Sequence, residues 1–174
     1  EGSALSGLMR RNFAWLYDTL CFLDQKIAEQ DGILKTIAKE NEACKRLTQI
    51  PGIGVITATA LLTLAGVASN FKNGREFAAF LGLVPRQNST GGKTKLFGIS
   101  KRGDNYIRTL LVHGARAVLR SLTIGRMAQG RHSKWLAELV ARRGTKRACV
   151  GLANKTARIA WSLLAHGTEY KLAA

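Results

Sequence analysis

Acidic residues are scarce in this chain, and the scarcity is uneven. Seven of its 11 Asp and Glu lie in residues 1–50, beside seven of its 27 Lys and Arg, which leaves twenty cations against four acids in residues 51–174. The four are Glu76, Asp104, Glu138 and Glu169, and no two lie close in sequence. Carboxylate pairs able to hold a catalytic metal are therefore not expected there. Cysteine is sparse too: Cys21, Cys44 and Cys149 make an odd set with no C-x-x-C pair. That argues against a disulfide framework and against a zinc site, and it fits a reducing cytoplasm. His113, His132 and His166 stand alone, without ligand-spaced Cys or carboxylate, and read as surface or core histidines. No apolar run reaches the roughly 18–20 residues that span a bilayer, which predicts a soluble protein with no membrane partner. The opening "EGSALSGLMRRNFAWL" lacks a basic region ahead of an apolar run, so no signal peptide is expected. It begins without Met and near neutrality, which reads as a fragment of a longer chain.

What is present is length enough for one domain, or one domain plus an arm, with 46% apolar residues to build a core in 174. The net charge of +16 comes wholly from residues 51–174. A charge-balanced first third followed by a strongly basic remainder predicts a neutral arm and a polyanion-binding domain. The cations are spread over several elements, not along one amphipathic helix, which disfavours a membrane surface as the polyanion.

In the arm, Met9, Phe13, Leu16, Leu20, Leu23, Ile27, Gln30, Leu34, Ile37, Asn41 and Cys44 recur at alternating steps of four and three. This is a heptad seam, and it predicts a coiled coil or a long helical hairpin that mediates self-association. Gln30 and Asn41 are polar seam positions able to fix register, and Asp31-Gly32 is a candidate break. Next, "LTQIPGIGVITATALLTLAG" resembles the helix-hairpin-helix DNA-binding motif. Gly52 and Gly54 would permit a tight turn and present amide N–H groups to a phosphate at a helix N-terminus. The alternative is a plain glycine-containing turn between helices. Further on, a short core helix is expected from about Gly74 and ended by Pro85, then a long helix capped by Asp104. A helix over 133–144 is expected to be capped by Ser133 and closed by Gly144, and a last helix to run over 146–167. Arg108, Arg116, Arg120 and Lys155 are candidate backbone contacts on these helices, against the reading of a solvated basic face. The fold class is mainly all-α: a coiled-coil arm over residues 1–46, then a compact helical domain over 47–174 carrying a basic loop or short hairpin.

That loop is "PRQNSTGGKTKLFGISKRGD", residues 85–104, which holds five cations and no acid before Asp104. Ser89 and Thr90 stand in tandem before Gly91-Gly92-Lys93. The Walker phosphate loop has a different order and follows a buried strand, and the G-x-S-x-G nucleophile elbow is absent. Two readings remain. In one, Ser89 attacks a DNA phosphate, Lys93, Lys95, Lys101 and Arg102 offset the developing charge, and the glycines let the strand approach. In the other, the loop only holds the backbone, and this is what the residues alone favour, since no acid is at hand to activate a hydroxyl.

Taken together, "RLTQIPGIGVITATALLTLAG…REFAAFLGLVPRQNSTGGKTKLFGISKRGDNYIRTLLVHGARAVLR" and the later "LANKTARIAW" resemble the C-terminal transposase domain of the bridge-RNA-guided insertion-sequence recombinases. That is the IS one-ten family, especially its IS eleven-eleven subgroup. The resemblance covers nearly the whole chain. It implies an enzyme built from a RuvC-like domain with an Mg²⁺-binding acidic tetrad, a coiled coil, and a transposase domain whose serine forms a transient phosphoserine link to DNA. It also implies double-stranded DNA and a structured guide RNA as partners, a homo-oligomer, and cytoplasmic action at the nucleoid. Ser89 would be the nucleophile, with Thr90 as the register alternative. No cofactor is expected in this chain, with Mg²⁺ in the RuvC-like part, so these 174 residues alone should not cleave DNA.

Overall fold

A computed structural model of the chain describes residues 5–127 and 130–171, and it is mainly helical. α1 runs unbroken over Gly7–Glu40. Ser6 starts it by accepting a hydrogen bond from the Met9 amide at 3.3 Å. Asp31-Gly32 causes no break: Gly32 stays helical, and its carbonyl also accepts from Thr36 Oγ1 at 3.1 Å. The helix ends at Asn41, which is a junction instead of a register-fixing seam residue. Asn41 caps α1 through its own N–H, and its side-chain oxygen accepts from Ala43 N and Cys44 N at 2.9 and 3.1 Å to open α2, Glu42–Thr48.

Beyond Ala38 the chain enters the core. Cys44 and Leu47 of α2, Ile50 and Ile53 of the turn, and Ala58 and Leu61 of α3 (Val55–Leu62) are all buried. Gly52 must be glycine for two reasons. Its φ is +89°, and a Cβ there would come within 2.8 Å of the Gly114 carbonyl oxygen on the long helix α6, Asn105–Thr123. A short α4, Ala65–Ala68, leads to α5, Gly74–Phe80, which Asn73 caps by accepting from Arg75 N and Glu76 N. Phe71, Phe77 and Phe80 meet there as an aromatic cluster with centroids 5.2–6.5 Å apart.

Pro85 opens a strand instead of ending a helix; α5 has already stopped at Phe80. β1, Pro85–Thr90, pairs antiparallel with β2, Lys93–Ile99. Gly91 and Gly92 form the two-residue connection with φ of +57° and +74°. Positive φ at both positions is the type I′ geometry that matches strand twist, and a Gly-Gly pair adopts it without a Cβ penalty. The hairpin is exposed along almost its whole length and contributes no residue to the core.

α6 starts where expected: Asp104 accepts from Ile107 N at 2.7 Å. α7 spans Arg131–Arg143, two residues earlier than the sequence suggests, because Ser133 acts from the third helical position. Its Oγ accepts the Gly130 amide at 2.9 Å and donates to the Gly130 carbonyl. α8, Thr145–His166, is the central element and packs against α5, α6 and α7. Its buried face is largely small residues, Ala148, Ala153, Ala157 and Ala160, which let three helices approach closely. Trp161 Nε1 ties α8 to the α4 carbonyl of Ala68 at 2.9 Å, and Asn154 ties it to the Leu83 carbonyl at 3.2 Å.

Candidate nucleic-acid interface

Alternation along the strands decides what surrounds the tandem hydroxyls. Ser89 pairs with Thr94, and Thr90 with Lys93. Residues directly opposite share a face, and successive residues alternate. One face therefore carries Gln87, Ser89, Thr94 and Leu96; the other carries Asn88, Thr90, Lys93, Lys95 and Phe97. Two contacts agree: Gln87 Nε2 donates to Ser89 Oγ at 2.9 Å, and Lys95 Nζ lies 5.6 Å from the Phe97 ring centroid. The lysines expected beside Ser89 thus share the face of Thr90. Ser89 has a neutral face, with its hydroxyl accepting from an amide. All of Ser89, Thr90, Lys93, Lys95, Lys101 and Arg102 are exposed or nearly so. The hairpin holds the hydroxyls roughly 15 Å out from its base, at about 3.3 Å per residue.

The base is rigid. Gly82 (φ +71°) and Gly103 (φ +114°) pack against backbone: a Cβ on Gly82 would overlap the Arg102 carbonyl oxygen, and one on Gly103 would overlap that of Phe80. Ser100 N and Lys101 N donate to Val84 O and Gly82 O at 2.8 and 3.1 Å. Arg108 completes the clamp. It is 8% exposed, and Nη1 donates to the Leu81 carbonyl at 3.2 Å, with Gly103 O and Asp104 O at 3.4 Å. Nη2 donates to Asn105 Oδ1 at 2.8 Å. This removes Arg108 from the phosphate-contact set: its terminal donors are spent on the Leu81, Gly103 and Asp104 carbonyls and on the Asn105 side chain. Arg108→Met should cost about 2 kcal/mol in urea unfolding, the penalty for leaving such acceptors unpaired. The slope of log affinity for DNA against log salt should not change, whereas loss of a phosphate contact would reduce it by about one.

The other candidates are spread out. Arg116 and Arg120 are exposed on α6, about 17 and 23 Å along the axis from its start at 1.5 Å per residue, well away from the hairpin. Arg116 also lies beside the Cys149 thiol, whose pKa burial pushes up and Arg116 partly pulls back. Gly54 is exposed at the start of α3, in a cleft of about 410 Å³ that Asp31 and Lys35 of α1 also line. A carboxylate there competes with any phosphate for the helix N-terminus. Lys155 is half-buried, with Nζ 4.0 Å over the Trp135 ring. Its pKa is lowered, first by burial and then by Arg158.

The charge surplus stays unneutralised. Among the described residues the ion pairs are Lys26–Glu29 and Lys45–Glu42, both in the balanced first third. No group of three or more His, Cys, Asp and Glu able to hold a metal occurs among the described residues. No helix among them is long and apolar enough to cross a membrane. The geometry defines a basic helical domain with a hydroxyl-bearing hairpin exposed at its surface.

Comparison with known proteins gives the class. Residues 44–132 match the domain family described as "Transposase IS116/IS110/IS902 family", and the chain belongs to that family. It is 44% identical over 174 residues to the transposase for insertion sequence element IS1111A of Coxiella burnetii, covering 100% of this chain and 47% of that protein. It is 47% identical over 156 residues to a probable family 20 transposase of Pseudomonas aeruginosa, covering 90% of this chain and 45% of the relative. It is 43% identical over 149 residues to the transposase for insertion sequence element IS1328 of Yersinia enterocolitica, covering 86% and 44%. The chain spans less than half the length of these relatives.

Proposed function

We propose that this chain is the coiled-coil and transposase-domain portion of an RNA-guided DNA recombinase, and that Ser89 is its nucleophile. The observation that carries the reading is the exposed hairpin, which delivers Ser89 and Thr90 ahead of a domain whose cations have no acidic partners among the described residues. In the reaction, Ser89 Oγ forms a bond to a DNA phosphorus and gives up its proton, and a strand P–O bond breaks. The phosphoserine link keeps the phosphate activated until a strand-end hydroxyl attacks it, restores the serine and joins the exchanged strands. Lys101 and Arg102 at the hairpin base, with Arg116 and Arg120 further along α6, hold backbone phosphates without reading sequence. Sequence choice falls to a guide RNA.

The chain's own residues do not fit a Mg²⁺ site, since the described residues bring no acidic cluster together. The base that takes the serine proton, and any metal, belong to the RuvC-like domain. The 174 residues alone are then inactive. The second reading, a non-catalytic binding module, draws on the separation of Ser89 from Lys93 and Lys95. Trapping distinguishes the two. Full-length protein with guide RNA, Mg²⁺ and DNA substrate, denatured mid-reaction, should yield a protein–DNA adduct whose tryptic peptide maps to Ser89. A reaction that recombines DNA with no adduct would sink the nucleophile.

The long helix supplies assembly. Phe13, Leu16, Leu20, Leu23 and Ile27 each expose half or more of their surface along the α1 seam. We take this stripe as the homo-oligomer interface. Leu16→Glu with Leu23→Glu should convert the full-length oligomer to monomer in light scattering; an unchanged mass rules out this stripe.

A further inference from the structure

A second cavity, of about 620 Å³, lies between α7, α8 and the segment after His166, and none of its lining comes from the hairpin. Its walls include Trp135, Ile159 and Tyr170. Four cations border it, Arg131, Lys155, Arg158 and Lys171, against one acid, Glu169. His132 lines it too, and its Nε2 is buried with no hydrogen-bond partner among the described residues. Burial and then the Lys155 charge lower the pKa of the imidazole, which favours its neutral form. Aromatic walls and a cationic rim define the kind of ligand: a planar ring attached to an anion. The volume falls in the ~300–1,000 Å³ range of small-ligand sites, so it admits one nucleotide and not a duplex.

We propose that this cavity takes a single unpaired nucleotide of a nucleic-acid strand. The base seats against Tyr170 and the part of the half-buried Trp135 that Lys155 and the His132 ring, 5.8 Å away between centroids, leave open, and the flanking phosphates rest on Arg131, Arg158 and Lys171. Lys155, stacked on the indole, is part of the wall. Stacking on aromatic side chains inside a cationic groove is how single strands are held without sequence choice. The inference rests on the nucleic-acid reading above and deepens it: strand exchange leaves unpaired nucleotides, and so does a structured RNA.

The test is fluorescence anisotropy on the full-length protein with three labelled probes: a twelve-residue oligothymidylate, the matching oligouridylate, and a duplex of equal length. Trp135→Ala and Tyr170→Ala should each weaken single-strand binding about ten-fold, the usual effect of removing one stacking partner, with duplex binding held within about two-fold. Lys171→Glu, at an exposed position, should do the same and carries no folding risk. A loss in the DNA arm or the RNA arm supports the site and names its source. Parallel loss on single strand and duplex, or no loss in either, overturns it. Ser89→Ala leaves all three affinities unchanged, so failure of the nucleophile does not touch this result. A wild-type protein that binds none of the probes takes down both readings.

Discussion

Replacing Ser89 by alanine in the full-length protein is expected to abolish recombination and the covalent protein–DNA intermediate, while DNA affinity stays within about two-fold. The size of the loss follows from the role. Removing an attacking hydroxyl that works as a unit with its activating groups costs on the order of 10⁴- to 10⁶-fold, because nothing else can make the bond. Affinity should survive because it resides elsewhere. Ser89 is on the neutral face of the hairpin, where its oxygen accepts from Gln87 Nε2, and Lys93 and Lys95 lie on the other face. Gln87→Ala, which removes that donor and leaves the strand intact, should change the rate only modestly.

Thr90 makes the experiment decisive. It pairs with Lys93 and shares its face with Lys95, so it has the electrostatic surroundings that the sequence assigns to Ser89. If the two hydroxyls divide the work, Thr90→Ala should weaken substrate placement, with a loss of about ten-fold in rate and no loss of the adduct. Lys93→Ala should resemble it. The opposite pattern, an adduct lost with Thr90→Ala and kept with Ser89→Ala, would move the nucleophile one residue and put it directly among the lysines.

The helices were legible in the sequence because their signals are local. The four-three spacing from Met9 to Ile37 and the Asp104 cap each involve residues within a turn or two of one another. Asn41 was placed correctly on the spacing but given the wrong task, since a cap and a seam residue look alike until the following helix is seen to start at Glu42. In the sequence Gly91-Gly92 reads as room for a phosphate, yet between two strands it is first a turn signal. Which face Ser89 takes depends on pairing register, which residue spacing alone does not set. Arg108 was illegible for a harder reason. Its partners lie 27 residues back at Leu81 and within the first turn of its own helix, so its burial exists only once α5, the hairpin base and α6 meet. The cavity on α7 and α8 is of the same kind. Arg131 and Trp135 are one turn apart on one helix, Lys155 and Arg158 on another, and only the packing of α7 on α8 makes them one site.

Gly114→Ala should be among the most damaging conservative changes in the domain, with an expected loss of about 3 kcal/mol or more and a fall in Tm on the order of 10 °C. Gly114 sits midway along α6. The structure makes it the floor on which the Pro51–Gly54 turn rests. A Cβ at Gly114 would overlap the Gly52 carbonyl oxygen outright, and the obstacle is backbone, which no rotamer change can clear. Gly52 is pinned from its own side by φ of +89° and by Val118 Cγ2, 3.0 Å from where its Cβ would be. The turn must therefore lift from α6, and Ile50 and Ile53, both buried, would lift with it. Gly32→Ala is the control: Gly32 is helical, exposed and has open space around it, so the methyl should stabilise α1 by up to ~1 kcal/mol. Thermal unfolding of the two variants separates a glycine kept for contact from one that is merely tolerated. Equal Tm values would show that α6 and the turn are not packed as closely as Gly52 and Gly114 require. Because Arg108 of α6 also holds the Leu81 and Gly103 carbonyls on either side of the hairpin, recombination in Gly114→Ala should fall even where the protein still folds, by displacement of the hydroxyls from a frame that their own strands do not supply.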